Sequence, residues 1–212
     1  MRRILFTILI GLAAAPSAAW AQVQLGAFGG AALATFTGDD ADDAETRTSP
    51  TFGATLVWQP ASAIGFETGM SYVPKGASAS FDGGRGTLKI GYLEIPALLR
   101  LAPTLQGSQL RPVVQLGGAL AIKTSCEFEA VSGSASLSLG CEDSVWEGML
   151  DLKSIDFGLR AGFALDVPLG ETMIVSPGAS YTLGLLDIGD TSDNADIKNS
   201  VIQLGVGVRF RM

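Results

Sequence analysis

Histidine is absent from all 212 residues. The side chain most often used as a general base near neutral pH is therefore missing, and catalytic arrangements built on it cannot be assembled. Serine–lysine or paired-carboxylate chemistry needs no histidine, but no spacing in the chain singles out such a site. An enzyme is not expected, and no catalytic residue, cofactor or bound metal is assigned.

Positive charge is scarce too: 14 Lys and Arg stand against 21 Asp and Glu, a net charge of −7. Nucleic acid favours basic surfaces, so it is not an expected partner. An acidic balance supports solubility and names no partner of its own.

Long apolar runs are missing everywhere except the front, MRRILFTILIGLAAAPSAAWAQ. Arg2 and Arg3, an apolar stretch over residues 4–15 and the small-x-small site Ala19-Trp20-Ala21 have the layout of a secretory signal peptide. The apolar stretch is short of the ~20 residues a retained helical anchor needs. Cleavage is expected after Ala21, leaving residues 22–212 as one domain outside the cytoplasm. Without Arg2 and Arg3 its net charge is −9.

Cysteine occurs twice, as Cys126 and Cys141. In an exported chain this points to one disulfide, closing a long loop. It staples an exposed segment, or it shapes a binding lobe that carries Phe128, Val131, Leu137, Leu139 and Trp146.

What is abundant is glycine, 27 residues, together with a mean hydropathy of +0.35. Lacking any helical span, such a chain suggests strands whose apolar face is covered by something other than the chain. Strand side chains alternate between two faces, and eight segments alternate cleanly. In GYLEIPALLRL, residues 91–101, Leu93, Ile95, Ala97, Leu99 and Leu101 share one face; Tyr92, Glu94 and Arg100 share the other. The other seven lie near residues 23–35, 52–59, 64–72, 110–123, 152–167, 173–185 and 202–211. Nearly every strand charge falls on the glycine-rich, small-polar face. That face suits a narrow lumen, and segments of about ten residues or more suit tilted strands crossing ~30 Å of hydrocarbon. Closure is required, because an open edge in lipid leaves backbone groups unpaired.

Connections alternate short (59–63, 103–109, 168–171) and long (37–50, 75–86, 124–151, 187–198), the asymmetry of transmembrane barrels. The expected fold is all-β: an eight-stranded antiparallel up-and-down transmembrane β-barrel. Pro96 and Pro177 predict a bulge or a missing ladder bond. Trp58, Tyr72 and Tyr92 suit interfacial aromatic girdles.

The same stretch carries a resemblance. GYLEIPALLRL resembles the YLEIP-type strand of the PorT-like outer-membrane barrel family. GFETGMSYVPKG (65–76), RPVVQLGG (111–118), DFGLRAG (156–162) and YTLGL (181–185) follow in matching order. The resemblance implies a small eight-stranded barrel of a Gram-negative-type outer membrane, similar in architecture to OmpA-like barrels, and implies little about activity. Outer-membrane lipid is then one expected partner. The C-terminal strand, with Gln203, Gly205, Val208 and Phe210, looks like the insertion signal read by the barrel-assembly machinery, a second one, although Arg211 and Met212 follow the aromatic residue. An external ligand or surface partner is left open. The outer-membrane barrel enzymes resemble one another in depending on a histidine, which this chain lacks.

The inward charges Glu67, Glu94, Arg100, Arg111, Lys123, Asp156, Arg160 and Asp166 carry both signs. They form either a salt-bridge network plugging the lumen or a charge-selective path. The pairs expected from register are Glu67 or Glu94 with Arg100 or Arg160. Two acidic loops, 39–45 and 190–196, read as solvated outer surface; the second lacks the turn glycine and closing glutamate of a calcium loop. Residues 81–86 read as a hairpin tip, without the strand–helix context of a phosphate loop. The expected role is structural or surface-interacting, with the disulfide loop as contact site. The alternatives are a small porin-like pore or ligand-transporting barrel, and a soluble periplasmic lipocalin-like barrel with its apolar faces turned inward.

Overall fold

The computed structural model describes residues 23–39, 41, 43–141, 152–188 and 196–212. The expected cleavage site at Ala21, Trp146 and most of the 190–196 loop lie outside the described residues. Ten strands occur in them: β1 (Val23–Thr37), β2 (Arg47–Trp58), β3 (Ile64–Lys75), β4 (Ser78–Phe81), β5 (Gly84–Leu101), β6 (Arg111–Ser132), β7 (Ala135–Gly140), β8 (Ile155–Leu169), β9 (Met173–Asp187) and β10 (Lys198–Arg211). Eight of these close into an antiparallel barrel, in the order β1-β2-β3-β5-β6-β8-β9-β10 and back to β1. The short β4 and β7 extend β5 and β6 beyond one rim.

The alternation decides the faces. Phe52, Met70, Leu116, Leu159, Phe163 and Leu204 all project outward and are exposed, Leu116 by 61%. Glu94 and Arg100, two positions of the opposite parity on β5, are each 0% exposed. A soluble lipocalin-like barrel requires the reverse, apolar side chains inside and charges in water, so that alternative is set aside. No helix among the described residues is long and apolar enough to cross a membrane; the apolar girdle belongs to the strands.

Glycine makes the inner wall thin enough to close. A Cβ on Gly30 would lie 2.0 Å from the Leu204 carbonyl oxygen, and one on Gly117 would lie 2.1 Å from that of Ala97. Real Cβ atoms do not approach backbone so closely, so strand spacing at these points depends on the missing side chain.

The prolines are accommodated by gaps in the ladder. Between β3 and β5 the pairing skips from Thr68↔Ala97 to Ser71↔Glu94, opposite Pro96, and the Thr68 hydroxyl donates to the Pro96 carbonyl at 2.7 Å. Between β8 and β9 it skips from Ala164↔Gly178 to Val167↔Val175, opposite Pro177. Pro50, expected in a loop, lies inside β2, opposite Ala31 of β1. It is tolerated because the β2–β3 ladder runs only from Phe52↔Tyr72 to Trp58↔Phe66, below it.

The long connections contain more strand than the sequence suggests. β5 has 18 residues and β6 has 22, so much of 75–86 and 124–151 is hairpin rather than loop. Gly83 (φ 83°) and Gly133 (φ 57°) supply the left-handed conformation that such turns need. β8 begins at Ile155, so Lys153 precedes the strand.

Candidate functional site

Two regions concentrate polar chemistry: the barrel interior and the mouth at the long-hairpin end. Inside, opposite charges gather in two tiers. In the lower tier, near the short turns, Arg100 Nη2 lies 2.6 Å from Asp166 Oδ2 and its Nε lies 3.3 Å from Glu67 Oε2. Arg209 Nη2 holds the second Asp166 oxygen at 2.6 Å, and Ser176 donates to the same atom at 2.7 Å. Gln115 donates to Glu67 at 2.6 Å, and Arg209 Nε donates to Gln24 at 3.1 Å.

In the upper tier Arg160 Nη1 lies 2.8 Å from Glu94 Oε1, and Lys75 Nζ lies 3.0 Å from Asp156 Oδ2 and 3.7 Å from Glu94 Oε2. Arg160 also donates to Ser180 at 3.0 Å and to Gln203 at 2.6 Å; Asn199 donates to Asp156 at 2.9 Å. Lys75 sits 4.8 Å from the centroid of the Tyr92 ring. Four cations (Lys75, Arg100, Arg160, Arg209) thus face four carboxylates (Glu67, Glu94, Asp156, Asp166). Charges withdrawn from water in this way are tolerable when each has a partner and further hydrogen bonds.

Six of the eight interior charges singled out from the sequence meet in these tiers. Arg111 and Lys123 do not. Arg111 donates to the Ser62 carbonyl and to Thr104 at the short-turn rim, and Lys123 donates to the Leu152 carbonyl at the opposite mouth. Parity places both on the inner face but says nothing of height, and both sit at barrel ends. Lys75 and Arg209 were missed. Lys75 falls in a stretch that reads as a connection, although it continues the inward parity of Gly65, Glu67, Gly69 and Ser71; Arg209 reads as inward by the parity of the C-terminal strand but is not among the eight. Tyr92 is 1% exposed and points inward, so it is no girdle residue. Trp58, stacked on Phe66 at 5.7 Å, and Tyr72, against Phe52 at 5.7 Å, are on the outer face. In the C-terminal strand Gln203 is buried toward the lumen and Phe210 is 52% exposed on the outside.

At the mouth, one irregularity rearranges the wall. The β5–β6 ladder shifts register between Gly91 and Tyr92: Gly91 pairs with Ser125 and Tyr92 with Lys123, leaving Thr124 extra on β6. Beyond this bulge the parity of β6 flips, turning Cys126 and Phe128 inward opposite Ile90 and Leu88. Cys126 and Cys141 are disulfide-bonded, Cα to Cα 5.4 Å, just past the Glu127↔Gly140 end of the β6–β7 ladder. Ile90, Tyr92, Ala121, Cys141, Leu152 and Ile188 cluster there as an apolar layer above the upper ionic tier.

Because β6 and β7 are already laddered, the disulfide acts locally. Replacing both cysteines with serine is expected to remove at most about 3 kcal/mol, the chain-entropy value for a loop of this length, from the hairpin rather than from the barrel. Limited proteolysis checks this: cleavage within 133–141 should accelerate while the unboiled barrel band persists on a denaturing gel.

Residues 4–210 match the family model described as outer membrane protein beta-barrel domain. Among solved structures the chain is similar to neisserial surface protein A, at 11% identity over 90% of this chain and 97% of the other, with a TM-score of 0.52. It is also similar to OprG from Pseudomonas aeruginosa (16% identity, 89% and 96% covered, TM-score 0.49) and to Ail, the attachment invasion locus protein of Yersinia pestis (14% identity, 89% and 99% covered, TM-score 0.42). No curated protein matches it. With an apolar exterior, a charged interior and a closed sheet of eight strands, this chain belongs to the outer membrane protein beta-barrel domain family.

Proposed function

We propose that this is a barrel of PorT-like type, exported by a signal peptide cleaved after Ala21, with residues 22–212 inserted into a Gram-negative-type outer membrane. The barrel-assembly machinery reads its last strand through Gln203, Gly205, Val208 and Phe210. Its role is structural or surface-interacting: the lumen is plugged by its own side chains, and the disulfide-closed hairpin is the contact site. One observation carries the plug: the cavity that touches both ionic tiers, lined by Thr51, Ser71, Leu98, Gln115, Arg160 and Ser180 among others, has a volume of only about 100 Å³. A few water molecules fit such a volume; a solute path does not. Exposed apolar side chains on the hairpin, Val131 and Leu137, support contact with a partner there.

The test is conductance in a planar bilayer, on protein first shown to be folded by its heat-modifiable mobility. Wild type is expected to show no sustained single-channel steps. A steady open level would sink the plug.

A second reading, a small pore, is favoured by one feature. Arg100 Nη1, Arg160 Nε and Gln203 Nε2 are buried without a hydrogen-bond partner among the described residues, which suits a hydrated interior. On that reading Arg100→Met or Glu94→Gln would change ion selectivity, not merely create leakage.

A further inference from the structure

The mouth contains a second cavity, separate from the lumen. It has a volume of about 550 Å³, within the usual range of small-molecule sites. Phe36, Leu88 and Ile197 form its floor and pack on the apolar layer of Ile90, Tyr92, Leu152 and Ile188, so it ends blind above the ionic tiers. Phe81 and Phe128 wall it. The bulge at Thr124 is what brings Phe128 to this side.

Its charged lining is of one sign. Asp39 and Asp43 stand at the rim, and neither has an ion-pair partner among the described residues. The neighbouring acid, Glu45, is already engaged: its backbone is bridged to Ser78 (2.7 and 3.1 Å), and its carboxylate accepts from Ser80 at 2.7 Å and pairs with Arg85. That bridge ties the chain at Glu45 to β4, beside the chamber that Asp39 and Asp43 help to line. Three phenyl groups and two carboxylates in one lining suit a ligand with an apolar body and a positive end. The rings pack against the body and offer their faces to the cation, while the carboxylates repel anions.

We propose that this chamber is a binding site for a small amphiphilic organic cation, of the aryl- or alkylammonium class. The site is independent of the disulfide hairpin's role as a protein contact.

The test compares three probes of one shape, 4-phenylbutylammonium, 4-phenylbutanol and 4-phenylbutyrate. Each is titrated by saturation-transfer NMR against the barrel in lipid nanodiscs, with empty nanodiscs as reference. The ammonium is expected to bind about fivefold more tightly than the alcohol, and the butyrate more weakly than either. Asp39→Asn with Asp43→Asn should bring the ammonium down to the alcohol's affinity. Ala79→Trp, at an exposed lining position, should fill the chamber and abolish binding of all three. Both variants are first shown to keep their heat-modifiable mobility. Equal binding of the three probes to wild type, or ammonium binding unchanged in the Trp variant, would overturn the proposal.

Discussion

Arg100→Met is expected to cost the folded barrel about 3–5 kcal/mol, the usual penalty for stranding a buried charge. Arg100 is 0% exposed and its guanidinium serves two carboxylates, Glu67 and Asp166. Methionine fills most of the volume and removes only the charge and its donors. Arg209 still holds Asp166, so the larger share of the loss falls on Glu67, left with Gln115 alone. The double variant Arg100→Met/Glu67→Gln should therefore be more stable than the sum of the singles implies, because it removes the stranded carboxylate as well. Urea unfolding in lipid vesicles, followed by tryptophan fluorescence and by gel mobility, measures both. A loss below about 1 kcal/mol, the range of exposed pairs, would mean that water reaches this tier freely and that the lumen is not plugged there.

Leu116→Arg carries the second large effect. Leu116 lies midway along the β6 ladder with β8, pairs with Leu99 and Ala161, and points out. In hydrocarbon an arginine near the midplane is expected to destabilise by about 2–4 kcal/mol, falling toward zero near the interfaces. Leu110→Arg, just beyond the end of the strand at the short-turn rim, is the depth control and should cost less than about 1 kcal/mol. The difference between the two variants, measured by the same unfolding assay, reports the solvent around the barrel. Equal costs would mean that the outer face does not span a bilayer.

How much of this was visible in the residues varies from element to element. On β5, Leu93, Ile95, Ala97, Leu99 and Leu101 read outward and Glu94 and Arg100 inward from alternation alone, and so they stand. Each of the eight barrel strands behaved likewise, because an outer face with no other cover must be apolar and charges on the inner face of a narrow lumen must be paired. Prolines 96 and 177 marked ladder gaps for an equally local reason, the missing N–H. The interior charges were legible as to face but not as to height: Arg111 and Lys123 have the right parity and the wrong level. Lys75 escaped because Pro74 and Gly76 flank it and resemble the start of a loop, although two more steps of the inward alternation would have reached it.

The mouth was hidden for a different reason. The extra residue at Thr124 reverses the alternation of β6, so Phe128 and Cys126 face inward where unbroken parity would turn them out. A bulge exists only relative to a partner strand, and no single segment announces it. Likewise the four-against-four pairing of the lumen depends on the stagger of each strand against the next, which closure of the sheet sets. Alternation, turn glycines and the missing helical span are properties of neighbouring residues, and the amino-acid sequence determined them: eight strands, apolar outside and charged within. Which arginine meets which carboxylate, and that a blind apolar chamber lies above them, was decided only by the closed barrel, because the arginine–carboxylate pairs join residues from 33 to 66 positions apart whose relative heights no local pattern encodes.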